Sequence, residues 1–108
     1  MAVDHALTTS DCQRNITISN AVKVFSFTGL EKADALASTQ DVYWQYGDKS
    51  SGGLDATKAQ IIKAGMLMAI PKDPSVKGGT AWIVSFIRAS ADTVLCVTGH
   101  NEGVGRAF

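Results

Sequence analysis

The sequence predicts a mainly β fold: a small two-layer antiparallel β-sandwich of about six strands with one or two short helices. Three observations support this prediction. Short segments rich in β-branched and aromatic residues recur along the chain, several of them alternate polar and apolar residues, and turns rich in Gly, Pro, Asp and Ser separate them. The 108 residues fit a single domain, 1–108, and the apolar fraction of 45% is that of a globular protein.

Six segments have the pattern of strands. In the first, RNITISN, Ile16 and Ile18 lie on one face. In the second, VKVFSF, the apolar phase changes between Val24 and Phe25, which indicates either a bulge or burial on both faces. The remaining four segments are DVYWQYG, MLMAI, TAWIVSFI and TVLCV.

The segment GLEKADALAST is the first predicted helix. Leu30, Ala33 and Ala37 fall on one helical face, and alanine has the highest helix propensity. This helix would connect the second strand to the third.

A second segment, GLDATKAQIIKAG, has two interpretations. As a helix it is capped by Asp55 and stopped by Gly65 at the C′ position. As a strand it begins near Gln60 and continues into MLMAI. A helix over residues 55–64 followed by a strand from Met66 satisfies both sets of observations, and this is the form we predict.

The charge balance bears on two classes of partner, nucleic acids and further copies of the chain. Ten Lys and Arg balance ten Asp and Glu, so the formal net charge is zero. Without a basic face, a nucleic-acid partner is not expected. A net charge of zero also leaves little repulsion between copies, so a homo-oligomer is permitted.

The two cysteines and the start of the chain say little about compartment. Cys12 and Cys96 are far apart in sequence, and their spacing leaves a disulfide open. The first twelve residues show neither a basic nor an apolar leader segment, and no apolar run reaches about 20 residues. We therefore expect a cytoplasmic protein or one exported without a standard signal.

The sequence lacks the residue groupings of common enzymes. His100 has Cys96 and Glu102 as potential partners but no third group to orient it. The glycine-rich segments lack the spacing of a phosphate-binding loop, and no spacing typical of a metal site occurs. We therefore expect a non-enzymatic protein without a cofactor or a metal.

Aromatic residues form the most distinctive feature. Trp44 and Tyr46 would share one face of a strand, and Tyr43 would lie on the other. One face must pack in the core. The other face either presents an aromatic surface or is buried as well. Such a surface would suit a membrane lipid, a glycan or a protein partner. The candidate surface comprises Tyr43, Trp44, Tyr46 and Trp82, together with His100 and Asn101 of the loop that follows the segment TVLCV.

The chain resembles aegerolysins and actinoporins over most of residues 14–101. The resemblance is carried by ITISN, by the aromatic strand VYWQYG, by AQIIKAGMLM, by the glycine-rich entry KGGTAWIVSF and by TVLCVTGHN. It implies a β-sandwich and recognition of lipids or membranes, in some members with pore formation alongside a partner.

A second resemblance, to profilins, carries the alternative fold. GGTAWIVSFIRASADTVLCVTGHNEGVG is similar to the paired strands before the C-terminal profilin helix, and GLDATKAQIIKAG would be the helix after the Trp-containing strand. This resemblance implies an α+β architecture and actin binding.

A third interpretation needs no family. A small, uncharged, β-rich domain could be a structural subunit that self-assembles, because unpaired strand edges are templates for pairing with another chain.

Overall fold

The computed structural model describes residues 3–77 and 80–101, which form nine β-strands and no helix. No segment within these two ranges is therefore a helix that could span a membrane. In chain order the strands are β1 (His5–Leu7), β2 (Gln13–Ile18), β3 (Lys23–Phe27), β4 (Lys32–Ala37), β5 (Val42–Tyr46), β6 (Gln60–Ile62), β7 (Leu67–Pro71), β8 (Trp82–Arg88) and β9 (Thr93–His100).

All six predicted strand segments are confirmed, as β2, β3, β5, β7, β8 and β9. The phase change in β3 reflects burial on both faces rather than a bulge. Val24 and Phe25 are both fully buried, and pairing with β8 continues through them, with Val24 opposite Ser85 and Phe25 opposite Val84. Strands β1 and β4 are additional to the prediction, and β6 begins at Gln60, where the strand interpretation of GLDATKAQIIKAG begins.

The first predicted helix is wrong, because its central residues form β4. Ala33, Ala35 and Ala37 are fully buried and alternate with Asp34 and Leu36, which lie on the outer face. This period of two lets β4 pair with β9 on one side and β7 on the other. Pairing on both sides outweighs the helix propensity of alanine.

The predicted helix over residues 55–64 is also wrong. The carbonyl of Asp55 accepts hydrogen bonds from the amides of Lys58 and Ala59, which makes one turn. The chain then extends into β6. Gly65 has a positive φ of 77°, as expected of a terminating glycine, but it lies in the turn between β6 and β7. The α+β alternative is therefore not the architecture of the described residues.

The strand pairs are nested. β5 pairs with β6, β4 with β7, β3 with β8 and β2 with β9, all antiparallel. Two sheets result: a five-stranded sheet in the order β1-β3-β8-β5-β6 and a four-stranded sheet in the order β2-β9-β4-β7. Strand β1 joins the first sheet parallel to β3. The chain changes sheet at every connection except β5–β6, and this nested arrangement is a jelly roll.

The core lies between the two sheets, and its residue sizes are complementary. The five-stranded sheet supplies large aromatic side chains: Phe27 stacks on Trp82 at 4.4 Å between ring centroids, and Phe25 meets Phe86 edge-on at 5.2 Å. From the four-stranded sheet, β4 supplies only alanines to the core. Small side chains in one layer leave room for large ones in the other, which gives a close-packed interior.

The cysteines do not form a disulfide. Both are free. Cys96 shares the outer face with its register partner Asn15, whereas Cys12 lies beside Gly99, three residues further along β9. Successive residues of a strand point to opposite faces, so the two thiols point away from each other.

Strand β1 places a histidine against the aromatic core. His5 lies beside Phe25, with ring centroids 4.9 Å apart. Burial lowers the pKa of His5 below its ordinary value of 6.5, and the positive charges of Arg14 and Lys23 act in the same direction, whereas Asp4 opposes them. Folding therefore favours the neutral imidazole.

Lowering the pH should destabilise the protein through His5. The unfolded chain binds this proton at a higher pH than the folded chain does. The contribution of neutral His5 to the free energy of unfolding is therefore fully present above pH 6.5, and it is lost as the pH falls from there through the lowered folded pKa. Urea titrations between pH 7.5 and about 5, above the range in which carboxylates titrate, measure this loss. The variant His5→Gln should be flatter over this range, and an unchanged slope would assign the effect to another group.

Candidate functional site

The predicted aromatic surface is divided between the core and the exterior. Trp44 and Trp82 are 2% and 1% exposed, so neither can contact a partner. Tyr46 is half-buried on the same inner face as Trp44, and its hydroxyl donates a hydrogen bond of 2.5 Å to the carbonyl of Pro71 in the other sheet. Burial and the charge of Asp73 raise the pKa of Tyr46. These three residues support the fold.

The other two predicted residues lie on the second sheet. His100 ends β9 on the outer face of the four-stranded sheet, where its Nε2 is 2.8 Å from an Oδ2 oxygen of Asp34. Asn101 follows it and is half-buried. The structure therefore does not bring the six predicted residues together, and Tyr43 alone remains as an exposed aromatic side chain.

Tyr43 is the centre of an apolar row on the outer face of the five-stranded sheet. Its register partners are Ile87 in β8 and Ile61 in β6, so the three side chains lie side by side across three strands. Tyr43 is 40% exposed and Ile61 is 36% exposed. The alternation of β5 predicts that Tyr43 and Trp44 lie on opposite faces, and the burial of Trp44 shows that the face of Tyr43 is the outer one.

The next row of the same face is covered by residues 47–59, which we call the covering loop. Ser85 anchors its start: the Ser85 hydroxyl donates to the carbonyl of Gly47 at 2.7 Å and accepts from the amide of Lys49 at 2.9 Å. Further along, the side-chain oxygen of Gln45 accepts from the amide of Asp55 at 2.9 Å. Ser85 and Gln45 are themselves register partners, so one cross-strand pair anchors both parts of the loop.

Within the covering loop, Asp55 fixes the local shape. Its Oδ1 accepts hydrogen bonds from the amide and the hydroxyl of Thr57, at 2.9 and 2.7 Å. These bonds, together with the nearby charges of Lys58 and Lys49, hold the pKa of the Asp55 carboxyl below its usual value. Asp55 is therefore ionised at neutral pH, and its carboxylate accepts hydrogen bonds from within the loop.

A groove of about 410 Å³ remains between the covering loop and the apolar row. Leu54 is the largest side chain that the loop contributes to it, and Tyr43 and Ile87 contribute the sheet side. The complete lining is Tyr43, Gly53, Leu54, Ala56, Ala59 and Ile87. We call this feature the Tyr43 groove.

Sequence reasoning singles out only one residue of the Tyr43 groove. Leu54 and Ile87 belong to different segments, and their proximity depends on how the covering loop folds back over β5 and β8. The sequence offers one indication, an isolated leucine in a loop otherwise rich in glycine, serine and charged residues. The sequence predicts Ile87 only as a strand residue. Nothing near it in the sequence shows that the covering loop lies over the adjacent row, which contains Gln45 and Ser85.

The covering loop has equal numbers of positive and negative side chains, and two cations of the adjoining segments have carboxylate partners. Arg88 forms an ion pair with Asp92, and Lys63 lies 3.6 Å from Asp41. Within residues 3–77 and 80–101, no three His, Cys, Asp or Glu side chains are grouped so that they could hold a metal ion. The chemistry that the groove offers is contact with apolar surface.

Comparison with known proteins adds no relative: no protein-family model, no curated protein and no solved structure matches this chain.

Proposed function

We infer that the protein is a non-enzymatic binding module that takes an apolar side chain of a partner protein into the Tyr43 groove. The observation that carries this inference is an aromatic side chain, exposed on the outer face of a sheet, beside a groove whose lining is apolar. Clusters of exposed apolar residues of this kind mark interaction sites. Tyrosine is also enriched among the residues that dominate the binding energy of protein interfaces.

The chemistry of the groove favours a protein over a glycan. A sugar ligand needs donors and acceptors that converge on the site beside an aromatic platform. The oxygens of Gln45, Asp55 and Ser85 accept hydrogen bonds from the covering loop itself. The groove therefore offers apolar area with little free hydrogen-bonding capacity.

The charges favour a protein over an anionic membrane. Attraction to anionic lipids depends on clusters of Lys and Arg. The covering loop carries two lysines, Lys49 and Lys58, against two aspartates, Asp48 and Asp55. In the adjoining strand segments, Arg88 and Lys63 each have a carboxylate partner. The jelly-roll fold itself does not decide the question, because it occurs in capsid, lectin and enzyme domains alike.

Selection of peptides from a displayed random library on the immobilised protein tests this function. We expect enriched peptides to share an aliphatic or aromatic anchor. Their affinity should fall about tenfold or more for Tyr43→Ala and for Leu54→Ala, the loss of a strong interface contact. Tyr43→Phe should retain most of the affinity, because it keeps the ring.

Leu67→Ala is the matched control, because Leu67 is 65% exposed on the outer face of the other sheet. This variant should bind the same peptides as the unmodified protein. Phosphatidylcholine vesicles, with and without phosphatidylserine, and an array of glycans form the other arms of the experiment. Tyr43-dependent binding to vesicles or glycans, or selected peptides that bind Tyr43→Ala equally well, would overturn the proposal.

A further inference from the structure

The four edge strands of the two sheets are not equally protected against pairing with another chain. β1 and β6 are only three residues long. β7 ends at Pro71, which has no amide proton and whose carbonyl is occupied by the hydroxyl of Tyr46. Short edges and prolines are common protection against edge-to-edge pairing. β2 is six residues long and contains neither proline nor lysine.

The ladder between β2 and β9 shows which groups of β2 face outward. The amide of Gly99 donates to the carbonyl of Cys12 at 2.7 Å, so these two residues form a hydrogen-bonded pair. Such pairs alternate along an antiparallel ladder. The backbone groups of Gln13, Asn15 and Thr17 therefore point away from β9, and we call these three residues the open edge.

One of the outward groups already has a partner. A guanidinium nitrogen of Arg14 donates to the carbonyl of Gln13 at 2.8 Å. A carbonyl oxygen has two lone pairs, so it can accept a second hydrogen bond. Arg14 is also held by Asp11, which balances its charge. The middle of the open edge, at Asn15, is not involved in these contacts.

We propose that two copies of the chain dimerise by antiparallel pairing of their open edges. A two-fold axis perpendicular to the sheet would place Asn15 opposite Asn15 of the second copy and Gln13 opposite Thr17. Each facing pair can exchange two N–H···O bonds. The result is one continuous eight-stranded sheet.

A second copy fits the open edge for two reasons. The edge has three outward residues, so in an antiparallel pair the central residue of one copy faces the same residue of the other copy. The edge is therefore complementary to a second copy of itself. The three outward side chains are uncharged and the net charge is zero, so no like charges meet. Three facing pairs are a small interface, and we expect a concentration-dependent equilibrium between monomer and dimer.

Charge substitutions at Asn15 test the pairing directly. In a dimer of Asn15→Lys two lysines would face each other, and in Asn15→Asp two carboxylates, so each variant alone should be monomeric where the unmodified protein dimerises. An equimolar mixture of the two should form a heterodimer, which native mass spectrometry resolves by mass. Leu67→Lys, with the same charge change on the opposite edge strand, should dimerise normally.

Asn15→Pro is a second variant, and we expect it to keep the fold. Its missing amide points away from β9, so no bond of the β2–β9 ladder is lost. It should unfold cooperatively near the unmodified protein and remain monomeric in sedimentation velocity. The proposal is overturned if the unmodified protein is monomeric up to about 1 mM, if dimers survive both Asn15→Lys and Asn15→Pro, or if Leu67→Lys abolishes them. These readouts do not involve the Tyr43 groove, so they are independent of the proposed function.

Discussion

Replacing Trp82 with phenylalanine should lower the free energy of unfolding by about 3 kcal/mol, whereas the same replacement at Trp44 should lower it by only about 1 kcal/mol. Both indoles are buried in the same core, so both variants lose a similar apolar area. The difference lies in the indole nitrogens. Trp82 Nε1 donates a hydrogen bond of 2.8 Å to the carbonyl of Leu30, and Trp44 Nε1 has no hydrogen-bond partner among the described residues.

The two substitutions therefore have opposite effects on hydrogen bonding. Trp82→Phe leaves the Leu30 carbonyl buried without its donor, which costs about 1–3 kcal/mol in addition to the lost area. Trp44→Phe removes an indole N–H that has no acceptor in the core. Urea denaturation followed by circular dichroism measures both values, and each variant keeps one tryptophan as a fluorescent reporter. Equal destabilisation, or a larger loss at Trp44, would show that this hydrogen bond contributes nothing to the difference.

Gly99→Ala should destabilise the protein by about 1–3 kcal/mol. Gly99 is buried on the inner face of β9, where a Cβ atom would overlap Cδ1 of Leu30 and lie 3.2 Å from its Cγ. The whole isobutyl group would have to move within a packed core. The backbone itself would accept alanine, because Gly99 is not among the glycines with positive φ. Thermal and urea unfolding would measure the change.

A smaller residue at position 30 should relieve this overlap. We expect Leu30→Val combined with Gly99→Ala to be more stable, by about 1 kcal/mol, than the sum of the two single changes predicts. As a control, Gly99→Ala is combined with Ile61→Val. Ile61 lies on the outer face of the other sheet, so these two changes in the free energy of unfolding should be additive. Additivity in both pairs would mean that Leu30 is not the residue that excludes a side chain at position 99.

Strand β4 shows how far sequence patterns predict this fold. The sequence contains the alternation of Ala33, Ala35 and Ala37 with polar and larger residues, but the high helix propensity of alanine favours a helix. Alanine is preferred there because the opposite layer is filled by Trp82, Phe27 and other large rings, and that information lies elsewhere in the chain. The strands whose own side chains are large were predictable, because their local pattern is sufficient.

The candidate site shows the same limit. The period of β5 places Tyr43 opposite Trp44 but does not say which of the two faces is exposed. The neighbours Ile61 and Ile87 follow only once the strand order is known. The covering loop could not be predicted, because its position depends on hydrogen bonds between its backbone and the side chains of Ser85 and Gln45. Such bonds leave no periodic trace in a sequence.

The nested order of the strand pairs has a consequence for how the chain folds. The pair β5–β6 joins strands that are neighbours in the chain. β2, in contrast, pairs with β9, the last strand. Ile16 therefore meets Leu95 only after nearly all of the described chain is present. Closing such long loops is entropically unfavourable, and folds dominated by distant pairings form in about milliseconds to seconds. During synthesis β2 emerges without its partner β9, and β3 emerges with only the three-residue β1 to pair with. The core cannot close until β8 and β9 have left the ribosome. We therefore expect the nascent chain to stay sensitive to proteases until β9 has emerged and then to become resistant in a single step.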